Sequence, residues 1–286
     1  MKQCRRLWYN EREMTDMNKD ILADEIFSRY GAITRARGCF LYTKKTVRLT
    51  DMFREGGAAI LGWGGGSAFT MLKNTLNRGI TGTFRTEFHP QLIRAVSLLL
   101  DNQKNTRTLR VFRSLSALRA ECGEDVAIYT PFDPDNTDYS TKDAVAVVPP
   151  LPWVSPSYAL LAVKANSPRL LGEGSGVRSS GESLLSIPAP MAAGMCRAIY
   201  DVIKAQGEWR EQDFFLYDPV LTKYWTRRGC YLFPKVSRER YADFVRHCLD
   251  CAIVISPDYD TPSLVPFGAD RGVFTALKNK PFEEER

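Results

Sequence analysis

The sequence predicts an α/β fold, because short apolar segments typical of buried strands alternate with segments of helical periodicity. The apolar runs 126–129, 144–148 and 159–163 are bounded by Pro, Asp and Ser, as buried strands commonly are. Residues 230–256 follow the pattern of a strand, a helix and a second strand, which is a small α/β unit. We therefore expect sheets with helices packed against them.

The N-terminal part of the chain predicts one helix and two strands. Leu22, Ile26 and Tyr30 are spaced to lie on one face of a helix. Two short apolar runs, 39–42 and 47–49, flank a polar turn and predict a pair of strands.

Two longer helices are predicted in the middle of the chain. Pro90 suits the first position of a helix, and Leu92 and Val96 begin its apolar face. Apolar residues at helical spacing also predict a helix over 189–203. Further strands are predicted at 109–112, 230–233 and 252–256, and further helices at 114–122 and 237–250.

Composition places the chain among ordinary globular proteins and predicts a cytoplasmic location. Hydrophobic residues make up 44% and charged residues 25% of 286 residues. No apolar run is long enough for a membrane span, and the N-terminus lacks the apolar core of a signal peptide. The 7 cysteines include one C-x-x-C pair, Cys248 and Cys251, without further zinc ligands nearby. We expect free buried thiols in a reducing compartment and no metal site.

The positive charge is concentrated in the first part of the chain. Residues 1–120 hold 21 Lys and Arg against 10 Asp and Glu, whereas residues 121–286 hold 18 against 23. A basic surface for nucleic acid is one interpretation, and charge complementarity within one fold is the other. Since no run of five basic residues occurs, we favour the second interpretation and expect no nucleic-acid partner.

The segment LGWGGGSAF, residues 61–69, raises the question of phosphate binding. A glycine loop between a strand and a helix often cradles a phosphate with its backbone N–H groups. The loop Gly62–Ser67 lacks only the last glycine of the dinucleotide pattern, and Glu87 lies about 20 residues on, where a ribose-binding acid is expected. Nucleotide binding is therefore one hypothesis, and a flexible turn is the alternative.

Residues 37–62 read RGCFLYTKKTVRLTDMFREGGAAILG. This segment resembles the opening block of class III aminotransferases, enzymes of pyridoxal phosphate (PLP) fold type I. The family pattern is Gly-x-aromatic-Leu-Tyr, a turn, Arg-apolar-x-Asp-apolar, and then a glycine before Ala and Leu-Gly. The matching residues are Gly38, Phe40, Leu41, Tyr42, Arg48, Asp51, Gly57, Ala59, Leu61 and Gly62. Trp63 stands where the family has a histidine.

Weaker similarities to the family follow in the same order along the chain. Residues 110–120 are similar to its strand and phosphate-binding turn, and residues 186–203 to the helix after its Schiff-base lysine. The resemblance implies a shortened large domain, residues 61–210, with a sheet flanked by helices. It implies a small α/β domain built from both chain ends, residues 1–60 and 211–286. It also implies a homodimer, because the active sites of such enzymes lie between subunits.

The resemblance implies two cofactor-binding residues, Ser114 and Ser116, in the turn that would hold the PLP phosphate. The turn is altered, since Leu115 replaces a glycine and Ala117 replaces an acidic residue of the family pattern. Both serines retain hydroxyl groups that donate hydrogen bonds. Capping of the following helix is their alternative role.

Lys164 is the candidate catalytic lysine. It follows the apolar strand YALLAV and lies upstream of the 186–203 helix, as the Schiff-base lysine of the family does. A lysine at a strand end that extends to solvent is the alternative. The family's Asp-Glu pair for the pyridine nitrogen has no counterpart, and Asp133 is the nearest substitute.

The sequence therefore predicts an aminotransferase-like protein that has lost PLP chemistry and acts as a binding or scaffold protein. Residues 117–163 leave room for three short strands and for no crossover helices of normal length. We expect no bound cofactor, or PLP if the protein is active. The alternatives are a minimal PLP-dependent aminotransferase that uses Lys164 and a nucleotide-binding protein that uses the Gly62–Ser67 loop. The sequence identifies no protein partner.

Overall fold

The computed structural model describes residues 16–64, 66–154, 157–165 and 182–283. In these residues the helices are α1 (Asp16–Tyr30), α2 (Gly66–Asn77), α3 (Phe88–Asp101), α4 (Leu115–Cys122), α5 (Ala189–Glu208), α6 (Gln212–Phe215), α7 (Asp218–Tyr224), α8 (Tyr241–Asp250) and α9 (Thr275–Asn279). The strands are β1 (Ile33–Arg37), β2 (Phe40–Thr43), β3 (Arg48–Asp51), β4 (Arg107–Phe112), β5 (Ala127–Ile128), β6 (Ala144–Val147), β7 (Ala159–Lys164), β8 (Trp225–Arg228), β9 (Tyr231–Pro234), β10 (Ile253–Val254) and β11 (Ser263–Leu264).

The chain divides into two compact units. The terminal unit consists of Met1–Gly64 and Trp209–Arg286, and the central unit consists of Gly65–Glu208. In the part of the chain described, no helix is both long and apolar enough to cross a bilayer.

The terminal unit joins the two ends of the chain through one parallel strand pair. Its four-stranded sheet has the order β1-β2-β3-β10, and a three-stranded sheet has the order β11-β9-β8. Thr50 lies opposite Ile253, and Asp51 lies opposite Val254. The side chains of Leu49, Ile253 and Phe244 are fully buried and contribute to the core of this unit. The α/β unit built from both chain ends is thus confirmed.

In its described residues the central unit contains one mixed sheet of order β4-β7-β6-β5. β7 runs antiparallel to both β4 and β6, whereas β5 and β6 are parallel. All residues of β7 except Lys164 are buried, as the apolar run 159–163 predicts. α5 packs against α2 and α3 and buries its small residues Ala192, Ala193 and Gly194.

The C-terminal strand–helix–strand pattern differs from its prediction in two respects. β9 pairs with β8 and β11, but β10 pairs with β3, so the two strands lie in different sheets. The helix predicted over 237–250 begins only at Tyr241, because Ser237 and Arg240 close a turn through a backbone hydrogen bond of 3.2 Å. Local periodicity predicts the elements correctly but does not determine their strand partners.

Candidate functional site

The central sheet places Lys164 and Ser114 at opposite ends of one strand pair. Arg107 lies opposite Lys164, and Phe112 lies opposite Ala159. Ser114 follows two residues after Phe112. At about 3.4 Å per residue, Lys164 and Ser114 are therefore roughly 20 Å apart along the strands. One pyridine ring with its phosphate arm is far shorter, so these two residues do not share one cofactor.

The end of the sheet beside Lys164 holds a buried ion pair. The Arg107 side chain is 0% exposed, and its Nη2 and Nε donate hydrogen bonds of 2.6 and 2.8 Å to the two carboxylate oxygens of Asp101. The remaining guanidinium donors reach the carbonyl oxygens of Lys142 and Tyr139 at 2.7 and 3.1 Å. The pair is fully hydrogen-bonded and joins the end of α3 to the start of β4.

Lys164 contributes positive charge to this ion pair. Burial alone raises the pKa of the Asp101 carboxyl, but hydrogen bonds from Arg107 and Thr106 lower it, and the charges of Arg107 and Lys164 add to that effect. The net result is a pKa below the ordinary aspartate value. Lys164 lies opposite Arg107 in the strand register, so its backbone is next to the residue that pairs with Asp101.

Ser114 is the N-cap of α4, and its hydroxyl is used within the chain. The backbone N–H of Ala117 donates a 3.0 Å hydrogen bond to Ser114 Oγ, and the hydroxyls of Ser114 and Ser116 are 2.8 Å apart. The Leu115 side chain is 2% exposed and turns into the core. It therefore does not fill the solvent side of the turn. The geometry is that of an ordinary helix cap.

An arginine that the sequence motifs did not single out lies next to Ser114. The guanidinium of Arg113 donates two hydrogen bonds to the carboxylate of Glu182, at 3.3 and 3.2 Å, and one of 3.0 Å to the hydroxyl of Tyr158. Glu182 is brought there by backbone pairing with Val111. No sequence signal links these residues, because they come from three separate segments.

The segments at the Ser114 end of the sheet supply no lysine. β4, β5 and β6 end there and β7 begins there, which brings residues 113–116, 129–132, 148–154 and 157–158 to one edge. None of these segments contains a lysine. Asp133 accepts hydrogen bonds from Asp135 N–H and from the Tyr139 hydroxyl, as a turn aspartate does. The residues of this edge do not fit PLP as a covalently held cofactor.

The first half of the glycine loop packs against the chain's own backbone. Gly62 has φ +94°, and a Cβ there would lie 3.1 Å from the carbonyl oxygen of Gly38. Gly38 and Trp63 exchange backbone hydrogen bonds of 3.0 and 2.7 Å. Trp63 also donates from its indole to Asp51. The glycine at position 62 is required for this close approach within the terminal unit.

The second half of the loop begins α2 and already faces a carboxylate. The Ser67 hydroxyl donates to the carboxylate of Asp201, and Arg197 Nε donates a 2.8 Å hydrogen bond to the same hydroxyl. Asp201, which also pairs with Arg197 at 3.3 Å, thus lies beside Ser67 in the first turn of α2. A phosphate at Ser67 would be repelled by this carboxylate, so the hydroxyl serves the packing of α2 on α5.

The fold is that of PLP-dependent aminotransferases. The structure is similar to a β-phenylalanine aminotransferase from Variovorax paradoxus, with a TM-score of 0.62, 12% identity, and coverage of 96% of this chain and 95% of that one. It is also similar to the ornithine δ-aminotransferase of Plasmodium falciparum (TM-score 0.59, 11% identity, 92% and 96% covered). An omega-transaminase from Sphaerobacter thermophilus gives a TM-score of 0.57 at 13% identity, with 86% and 90% covered.

The chain belongs to the same family as an uncharacterized protein of Treponema pallidum (strain Nichols). The two are 30% identical over 284 residues, which covers 85% of this chain and 91% of that protein. No family model matches the chain.

Proposed function

We propose that this protein keeps the aminotransferase fold in a shortened, degenerate form, has lost transamination, and acts as a binding or scaffold protein. The observation that carries the proposal is the separation of Lys164 from Ser114 along the antiparallel pair of β4 and β7. A PLP enzyme needs its lysine and its phosphate donors within one pocket.

The surroundings of both residues support the same proposal. Lys164 contributes to the electrostatics of the Asp101–Arg107 pair, and Ser114 caps α4. Arg113, the cation closest in sequence to the cap, is engaged by Glu182. Because a carboxylate faces Ser67, we do not propose nucleotide binding at the Gly62–Ser67 loop.

Absorbance with added PLP tests the proposal. The purified protein is incubated with PLP, scanned in the visible range, reduced with borohydride and mapped by mass spectrometry. Lys164→Ala and Lys142→Ala are compared, since both lysines lie at the same end of the sheet and neither is fully exposed. We expect the same weak spectrum for the wild type and both variants, and labelling spread over exposed lysines.

One outcome contradicts the proposal. A visible band that Lys142→Ala retains and Lys164→Ala lacks, with labelling confined to Lys164, would establish a PLP enzyme. Loss of this band on addition of an amine donor would show in addition that the protein transaminates.

A homodimer is part of this proposal. On α2, Ala68 and Thr75 are buried, while Phe69 and Leu76 are each 45% exposed. Phe69 also contacts the half-exposed ring of Trp153 edge to face, at 5.7 Å between centroids. The resemblance to fold type I enzymes favours a second copy of the chain on this apolar surface.

We propose a cytoplasmic location on the basis of the cysteines. The cysteines in the described residues are free, and all of them except Cys122 are buried. Burial raises the pKa of the Cys196 thiol to about 11, so this group stays protonated and unreactive at neutral pH. Protonated, unpaired thiols are typical of a reducing compartment.

A further inference from the structure

Folding brings three arginines and two aromatic rings onto one face of the terminal unit's sheet. Arg35 of β1 lies opposite Tyr42 of β2, which in turn lies opposite Arg48 of β3. Arg37 lies opposite Phe40. Directly opposed residues share a face, and so do residues two apart on one strand. These five residues are here called the arginine–aromatic face.

Two of the three guanidinium groups of this face lie over its rings. Arg48 Cζ is 4.4 Å from the centroid of Phe40, and Arg35 Cζ is 5.5 Å from that of Tyr42. The three arginines are exposed, and the two rings are partly exposed. Stacking of this kind holds the flat guanidinium planes along the sheet surface instead of letting them extend into solvent.

The charge of the arginine–aromatic face is not neutralised by the described residues. None of its three arginines forms an ion pair or a side-chain hydrogen bond with a residue in the described ranges, whereas Arg29, Arg107 and Arg227 all pair with carboxylates there. The scattered basic residues of the sequence predicted no nucleic-acid surface. The strand register collects three of them within one small area.

We propose that the arginine–aromatic face binds single-stranded nucleic acid. Guanidinium groups on the flanking strands β1 and β3 provide contacts to phosphates, and the rings of β2, together with the guanidinium groups that lie over them, provide surfaces for bases. An acidic protein partner would pair with the three arginines, but its binding would not require aromatic rings aligned with those arginines. A single strand is favoured over a duplex because only unpaired, unstacked bases can lie flat on a sheet.

This inference is independent of the proposed loss of transamination. A chain that did bind PLP would present the same face, and a chain without nucleic-acid affinity would leave the PLP test unchanged. The PLP test and the nucleic-acid test can therefore each contradict its own proposal without contradicting the other.

Fluorescence anisotropy with the full chain tests the inference. The probe is a labelled oligothymidylate of about 20 nucleotides, long enough to cross a sheet of this size, and it is titrated at several salt concentrations. Arg35→Gln/Arg48→Gln is compared with Arg271→Gln/Lys278→Gln, which removes two exposed positive charges elsewhere in the terminal unit. Thermal unfolding verifies that each variant is folded.

We expect salt-dependent binding by the wild type and by the control double variant. Arg35→Gln/Arg48→Gln should bind at least about tenfold more weakly, and its slope of log affinity against log salt should fall by about 1.4, at about 0.7 for each lost phosphate contact. Tyr42→Leu should weaken binding with little change in the slope, because it removes stacking and no charge. Tyr42→Phe should retain binding.

Three results would overturn the inference. The first is no binding by the wild type at low salt, and the second is equal loss in both double variants. The third is tighter binding of labelled polyglutamate than of the oligonucleotide, with neither affected by Tyr42→Leu, which would identify an acidic protein as the partner. If Tyr42→Leu is unfolded, the two charge variants decide the test.

Discussion

The indole nitrogen of Trp63 donates a hydrogen bond of 2.6 Å to Oδ2 of the buried Asp51 carboxylate. The other carboxylate oxygen accepts from the backbone N–H groups of Phe53 and Arg54, at 3.0 and 2.9 Å. Three hydrogen-bond donors thus contact the side chain of Asp51, a residue that is only 2% exposed. Trp63 joins the glycine loop to the end of β3.

Trp63→Phe should lower the free energy of unfolding by about 1.5–3 kcal/mol, because a buried carboxylate loses one of its donors. Phe27→Leu is the control, since Phe27 is 64% exposed, and it should change stability by less than about 0.5 kcal/mol. Urea denaturation followed by circular dichroism measures both. Equal effects of the two substitutions would mean that the indole hydrogen bond is unimportant.

Asp101→Asn should destabilise the protein strongly at neutral pH. The substitution leaves Arg107 buried without a counter-ion, which typically costs about 3–5 kcal/mol. Glu182→Gln is the control, because it removes a carboxylate from an exposed pair with Arg113 and should leave the midpoint of urea unfolding nearly unchanged.

The same pair predicts a pH dependence of the stability. The folded-state pKa of Asp101 lies below the model-peptide value of 3.8, so its stabilising contribution is present above that value and is lost as the pH falls through the folded-state pKa. The stability difference between the wild type and Asp101→Asn should therefore shrink on acidification below 3.8. A difference that grows in acid would mean that the pKa is raised instead.

Ser114→Ala should cost about 1 kcal/mol of stability, because it removes the N-cap of α4. Ser116→Ala removes a hydroxyl from the same turn but not the cap, so it should cost clearly less. Thermal unfolding of the two variants, each with and without PLP, separates capping from phosphate binding. Stabilisation of the wild type by PLP that both variants lose would favour the cofactor role instead.

Phe69→Ser/Leu76→Ser should shift the protein from dimer to monomer without unfolding it, because both side chains are already partly exposed on α2. Phe27→Ser alters another exposed ring, which is 64% exposed on α1, and should leave the dimer intact. Light scattering at micromolar concentration measures the mass of each. A monomeric wild type would contradict the proposed homodimer.

The local pattern of apolar and polar residues was sufficient to predict most of the secondary structure. The spacing of Leu92 and Val96 predicts α3, and both side chains are fully buried. The apolar run 159–163 predicts β7 almost to the residue. These predictions succeed because each depends on the environment of consecutive residues, which the sequence displays directly.

The candidate site depends on pairings that the sequence does not display. Lys164 and Ser114 both fit a family pattern in chain order, but the antiparallel direction of β7 places them at opposite ends of the sheet. The ion pair of Arg113 with Glu182 and the arginine–aromatic face likewise arise from register between separate strands. Strand direction and register are set by long-range packing, so residue spacing alone could not have shown them.

The parallel pairing of β3 with β10 constrains the order in which the protein matures during translation. β3 leaves the ribosome about 200 residues before its partner strand has been made. The central unit is continuous in sequence, so all four of its strands are available once residue 208 has emerged. Until β10 has also emerged, β3 carries an unpaired edge that can pair with another chain. The first strands to be synthesised are therefore among the last to be completed.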